Sequence, residues 1–483
     1  MTRLLVGPFN RVEGDLEVRL EVQNGRVSQA WVNATMYRGF EQILQGKHPF
    51  DAMVYVPRIC GICSVTQSVA AARALAAACE VEVPANGVWL TNLMLACENA
   101  ADHLTHFYLF FMPDFTRETY AARPWHGEAM RRFGTQSGEH ARQALAVRQR
   151  WLQIMGTLGG KWPHTQSIVP GGSSRSITDS ERFRLGARVA EMRDFLERVL
   201  FASPLEEVLA LGDEAQLAQW LQRDPERGDL RLFLSIAQDL NLASLGPGPG
   251  LTMSYGAFAD PAGHFAMAPG LWDGTSLQSI QVDQITEDAR HAWLADRGQA
   301  LHPAQGLTLP QADKPDAYTW NKAPRLQGRV LETGAMARQL ADGQPLIRDV
   351  CQRAGGNVRS RVLARAIELA RLVLLAQTCL ASIKPAAPCC AQAVLPDHAD
   401  SYGLCEAARG SLGHWLSIRG GRIANYQIVA PTSWNFSPRD SQGVPGALEA
   451  ALVGAPVAQG ETSPVAVQHI VRSFDPCMVC TVH

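Results

Sequence analysis

Charge is scarce in this sequence. Asp, Glu, Lys and Arg make up 19% of its 483 residues and nearly cancel, leaving a formal net charge of −2. Typical soluble chains carry about 25%. So neutral a chain has no electrostatic claim on nucleic acid or an anionic membrane, and the shortage suits a surface partly covered by a partner. Long apolar runs are missing as well. The longest, such as "LVLLA" at 372–376, fall far short of the roughly 18 residues of a membrane span. No secretory hydrophobic segment opens the chain, because "MTRLLVGPFN" is short and meets a proline. There is no internal repeat, no low-complexity linker, and no C-x2-C-x2-C run to hold a ferredoxin-type cluster within the chain. "GPGPG" (246–250) is no phosphate loop, since no GK[ST] follows it.

What is present is a 46% apolar fraction, enough for a sizeable core, and eleven cysteines, an odd number. With no secretory segment this points to a reducing, cytoplasmic setting, in which CxxC pairs are metal or redox sites and not structural disulfides.

Helical patterns dominate. "SVTQSVAAARALAAAC" (64–79), 88–111, 138–158, 178–201 and 360–383 read as helices, with Thr178 and Glu181 forming a capping box. "LEVRLEV" (16–22), "NG" and "RVSQAWVNA" predict a hairpin, and 415–431 another. Residues 245–326 are rich in Gly and Pro and read as an irregular excursion. The expectation is an α+β, predominantly α-helical fold: a large helical core, small β-sheets near both chain ends, and one domain over 1–483.

The chemistry sits at the two ends. "PRICGICSVTQ" carries Cys60 and Cys63; "FDPCMVCTVH" carries Cys477 and Cys480 and closes on His483. A mobile terminus rarely carries such a cluster. CxxC lets two thiolates reach one metal from a tight turn. Two such pairs are compatible with a four-cysteine zinc site, with redox pairs, or with a less common metal centre. Zinc pairs usually lie about 15–20 residues apart, whereas these occupy opposite ends of the chain.

Taken with "RVEGD" (11–15), "YRGFE" (37–41), "KWPHTQSIVPGG" (161–172), "EAARGSLGHW" (406–415) and "YQIVAPTSWNFSPRD" (426–440), the sequence resembles the large subunit of nickel–iron hydrogenases along nearly its whole length. The resemblance implies that Cys60, Cys63, Cys477 and Cys480 hold a Ni-Fe(CN)2(CO) centre, with Cys63 and Cys480 bridging. It implies Glu13 as proton relay, Arg409 as base or electrostatic anchor over the metals, Asp102 and Asp475 as its holders, and Thr432 or Ser433 as donors to a cyanide. Glu41, the carbonyl near Ile428, and His483 resemble the family's magnesium site. Heterolytic H2 cleavage is implied, with Cys477 or Arg409 accepting the proton. Iron–sulfur clusters would lie only in a small-subunit partner, and maturation chaperones would load the centre.

Three positions depart from the family pattern. Gln67 stands where most members carry His, Ala408 replaces a proline, and Asp15 replaces a His. Gln67 resembles the regulatory, H2-sensing class, which signals to a histidine kinase, and an ending at His483 without a cleavable extension is shared with that class. The alternative is an energy-conserving uptake hydrogenase. A metal-free quinone-reductase relative is disfavoured by the four cysteines.

Overall fold

Helices begin where the sequence places caps. The Thr178 hydroxyl accepts from the Glu181 amide at 3.2 Å, and the Glu181 carboxylate accepts from the Thr178 amide at 2.9 Å; this opens the helix Asp179–Phe195. Asn357 and Ser360 form the same reciprocal pair ahead of Val358–Ser382. The computed structural model describes residues 2–481 and 483.

The centre of the molecule is helical. Val358–Ser382 packs against Ala85–Thr105, and both are buried over most of their surface, carrying charged side chains such as Arg361, Glu368, Glu98 and Asp102 into the interior. The alanine-rich helix Ser64–Ala78 lies on the strand His398–Ala407. Its small side chains let the backbones close up, and Gly403 completes the fit: a Cβ there would stand 2.1 Å from the Ala70 carbonyl oxygen.

Two predicted helices are interrupted. The segment 138–158 divides into Glu139–Trp151 and Gln153–Gly159, the second carrying the weak helix formers Gly156 and Gly159. The segment 88–111 is α-helical to Thr105, then widens into a π-helical turn, His106–Phe111, before a 3-10 turn containing Pro113.

The hairpin over 16–34 forms as Leu16–Gln23 and Arg26–Ala34, and Thr2–Val6 adds a third antiparallel strand. The second hairpin, Gly410–Arg419 and Arg422–Val429, turns through Gly420 and Gly421, both at positive φ. His398–Ala407 completes its sheet. Between 245 and 326 there are only short strands and turns. They pack a small apolar cluster around Met253, Tyr255, Leu271 and Ile285 against Trp415 and Trp434. No described helix is long and apolar enough to cross a membrane.

Candidate metal centre

The two chain ends meet. Glu13 and Cys477 form a parallel β-bridge. The Glu13 amide donates to the Pro476 carbonyl at 3.3 Å, and the Met478 amide donates to the Glu13 carbonyl at 2.7 Å. Gly14, at φ +79°, permits this approach, since a Cβ there would lie 2.9 Å from the Val479 nitrogen. Arg38 then ties the tail to the other cysteine loop, donating to the Val479 carbonyl at 2.7 Å and also to that of Ile59.

This clamp brings four sulfurs together. Cys60 and Cys477 are 3.3 Å apart at Sγ, Cys63 and Cys480 3.2 Å, and Cys477 and Cys480 3.0 Å. All four are buried, and all ligand atoms lie within 4.8 Å of one another. Cys60 Sγ also accepts from the Ile62 and Cys63 amides, at 3.3 and 3.5 Å. The three short separations are tighter than the about 3.8 Å edge of a tetrahedral zinc site with Zn–S of about 2.3 Å. They suit sulfurs shared between two metals. Burial would raise the Cys60 thiol, but the neighbouring sulfurs and Arg409 hold it well below the ordinary value, while Cys63 and Cys477 are pushed well above theirs. Ionising all four at such distances requires metal charge at the centre, so the donor set fits a soft metal.

Arg409 stands over the cluster. Its Nη1 donates to Asp102 Oδ2 at 2.6 Å, its Nη2 to Asp475 Oδ1 at 3.1 Å, and its Nε to the Asp475 carbonyl at 3.0 Å. Burial raises Asp102 against the pull of Arg409. Glu13 is half-buried, and its carboxylate makes no hydrogen bond among the described residues. Burial and then Cys60 raise its pKa; Arg409 and Arg38 oppose the rise. Thr432 Oγ1 accepts from the Cys477 amide at 3.2 Å. Ser433 is buried beside it, with its amide bonded to Ala430 and its carbonyl to Asn321.

A second polar group surrounds the last residue. His483 Nε2 lies 2.5 Å from the Ile428 carbonyl oxygen and 3.5 Å from Glu41 Oε1, and Nδ1 lies 2.6 Å from the Cys480 carbonyl oxygen. Burial and Lys322 push His483 down to about 4. A neutral imidazole donates once, yet this ring faces two carbonyls. A hard cation beside Nε2, Ile428 O and Glu41 would resolve the conflict, so these donors fit magnesium. Lys322 closes the group, 3.6 Å from Glu41 and 3.0 Å from Glu287.

Glu13, Arg409, Asp102, Asp475 and Thr432 therefore gather with the four cysteines, and Glu41, Ile428 and His483 form a second group joined to them through Cys480. Sequence reasoning missed their supports. Arg338, fully buried, donates to the carbonyls of Ala407 and Ala408 at 2.7 and 2.8 Å while paired with Glu368 and Glu406, which fixes the turn presenting Arg409. Glu98 accepts from the Val65 and Thr66 amides at 2.8 and 2.9 Å and from Trp162 Nε1 at 3.0 Å, anchoring the helix start behind Cys63. Neither lies near a ligand cysteine in sequence. His414 bridges Gln67 Oε1 and Tyr426 Oη, each at 2.8 Å, and burial pushes it down to about 3.

Comparison with known proteins agrees with this geometry. The family model described as nickel-dependent hydrogenase matches residues 38–129 and 119–483. The periplasmic [NiFeSe] hydrogenase large subunit of Desulfomicrobium baculatum is 29% identical, the alignment covering 100% of this chain and 95% of that one. The Hydrogenase-2 large chain of Escherichia coli is 28% identical, with 100% and 97% covered. The uptake hydrogenase large subunit of Cupriavidus necator is 27% identical, with 100% and 95% covered. Among solved structures, the H2-activated Dm. baculatum [NiFeSe] hydrogenase superposes with a TM-score of 0.87 at 28% identity, covering all of both chains.

Proposed function

Because the chain belongs to the nickel-dependent hydrogenase family as a large subunit, we propose that it is the active-site subunit of a regulatory, H2-sensing [NiFe] hydrogenase. The observation that carries the hydrogenase chemistry is the convergence of Cys60, Cys63, Cys477 and Cys480. When bound there, a nickel–iron centre with CO and cyanide ligands polarises H2 and splits it heterolytically.

The chain's own residues handle the proton. Cys477 Sγ, a thiol pushed well above its ordinary pKa, takes it; Arg409, held charged by Asp102 and Asp475, acts as the electrostatic anchor beside it. Glu13, whose backbone is bonded to the Cys477 segment and whose carboxylate is free and raised in pKa, passes it outward. Asp102 and Asp475 aim Arg409 with charge-assisted bonds. Thr432 and Ser433 supply hydroxyls for a cyanide nitrogen. Magnesium between Glu41, Ile428 and His483 would lock the tail. Iron–sulfur clusters in a small subunit would take the electrons, since the described residues offer no second cluster of cysteines.

The sensing role is supported by Gln67. An amide cannot carry a proton at neutral pH, so the position bonded to His414 offers no titratable group beside Cys63. That favours slow turnover and signalling to a histidine kinase. The setting we infer is cytoplasmic, in keeping with eleven free cysteines, and the chain acts as one unit over 1–483. An uptake role is the second reading, favoured by relatives named uptake hydrogenases.

Metal analysis with infrared spectroscopy tests the chemistry: stoichiometric nickel and iron, with CO and cyanide bands, are expected, and zinc without those bands would overturn it. A deletion strain separates the roles. Loss of H2-dependent gene expression with growth on H2 retained supports sensing; the reverse supports uptake.

A further inference from the structure

Three guanidiniums that line a polar cavity of about 560 Å³ converge on one carboxylate behind its wall. Asp114 is fully buried. Arg472 Nη1 reaches its two oxygens at 2.8 and 3.0 Å, Arg117 Nη2 reaches Oδ1 at 2.8 Å, and Arg11 Nη2 bonds the same oxygen. His469 Nδ1 stands 3.3 Å from Oδ2. Arginine stays charged at any physiological pH, so three fixed positive charges face a single negative one. The excess is felt inside the cluster: burial, and then Arg11 and Arg117 against the pull of Asp114, draw Arg472 down to about 10.

The outer two arginines keep donors to spare. Side-chain exposure is 18% for Arg11 and 27% for Arg117, against 1% for Arg472. Arg117 Nη1 and Nε and Arg11 Nε have no acceptor among the described residues. Two acceptors at the cavity are already engaged: Gln468 Oε1 by Arg117 and Arg472, and the Asn10 carbonyl by Arg472. The cavity wall also carries apolar pieces, Val6, Pro8, Phe9 and Pro113, which match the stem of a side chain better than a bare inorganic anion. Its location is specific too. Arg11 precedes Glu13 in the same loop, and Arg472 lies in the last turn of the helix Val465–Ser473 that leads into Cys477.

We propose that this pocket receives an Asp or Glu side chain of the iron–sulfur small subunit. The incoming carboxylate takes the spare donors of Arg117 and Arg11, balances the charge around Asp114, and fixes the partner's register behind the loop of Glu13 and Cys477. The proposal rests on the heterodimer reading of the chain.

The test is co-expression of the full chain with its tagged small subunit. Arg117→Glu is expected to weaken association about 30-fold or more, with nickel content of the large chain unchanged. In Arg117→Lys, carbodiimide treatment is expected to couple the introduced amine to an acidic residue of the partner, read by mass spectrometry. Unchanged co-purification of Arg117→Glu, or coupling only within the large chain, would overturn the proposal. So would binding of inorganic phosphate that Arg117→Glu abolishes while assembly persists, which would mark a free-oxyanion site. A wild-type chain that captures no small subunit would instead overturn the heterodimer reading, and the pocket's occupant with it.

Discussion

Arg38 donates to the Val479 carbonyl at 2.7 Å while the same Nη2 bonds the Ile59 carbonyl. One guanidinium therefore staples together the loops that carry the two CxxC pairs, and it does so without touching a sulfur.

Replacing it should loosen the centre before it loosens the fold. A hydrogen bond to a charged group contributes about 1.5–3 kcal/mol. Arg38→Ala should lower the urea midpoint by a corresponding amount and release nickel on dialysis, with the far-ultraviolet circular dichroism unchanged. Nickel retention equal to wild type would show that the β-bridge of Glu13 and Cys477 suffices alone.

Glu13→Gln keeps the shape and removes the titratable group. General acid–base groups contribute about 10²–10⁴-fold. H/D exchange with solvent should fall by that order while nickel content holds. Exchange at the wild-type rate would move the relay to another residue.

His483→Ala removes the imidazole facing the Ile428 and Cys480 carbonyls. Loss of bound magnesium and lower nickel retention are expected at normal thermal stability of the helical core. Full loading in the variant would reduce His483 to a satisfied polar end.

Asp114 supplies the pH prediction. Burial would raise its pKa, but His469, Arg472 and Arg11 outweigh burial and hold it well below the usual carboxylate range. A depressed carboxylate stabilises the fold above its unfolded pKa of about 3.9 and loses that stabilisation as pH falls toward the folded value. The stability difference between wild type and Asp114→Asn should be flat above about pH 5 and shrink below about pH 4. A difference that grows on acidification would contradict the assignment.

The sequence shows the centre better than its scaffolding, for a physical reason. Ligands must be cysteines at fixed spacing, and Asp475 lies in the tail motif beside them, so both can be read along the chain; Asp102 sits in a plain helical stretch and is reached only through the family resemblance. Supports such as Arg338 and Glu98 can come from any helix that packs nearby, and no local pattern marks them. The same holds for secondary structure. The hairpin at "NG" is a local event and was legible; Thr2–Val6 is mostly exposed, and it is a strand because Leu16–Gln23 offers an edge. The break at Leu152 and the widening after Thr105 leave the apolar periodicity unbroken, so periodicity does not register them.

The pairing of Glu13 with Cys477 has a kinetic consequence. Bonds that close almost the entire chain into one loop must wait until most of the intervening backbone is ordered, because loop-closure entropy is lost before the contact returns anything. The pocket is then among the last parts to be completed as the protein folds. If the tail is also among the first parts to open, hydrogen exchange should find the amides of Met478 and Cys480 less protected than those of Val358–Ser382.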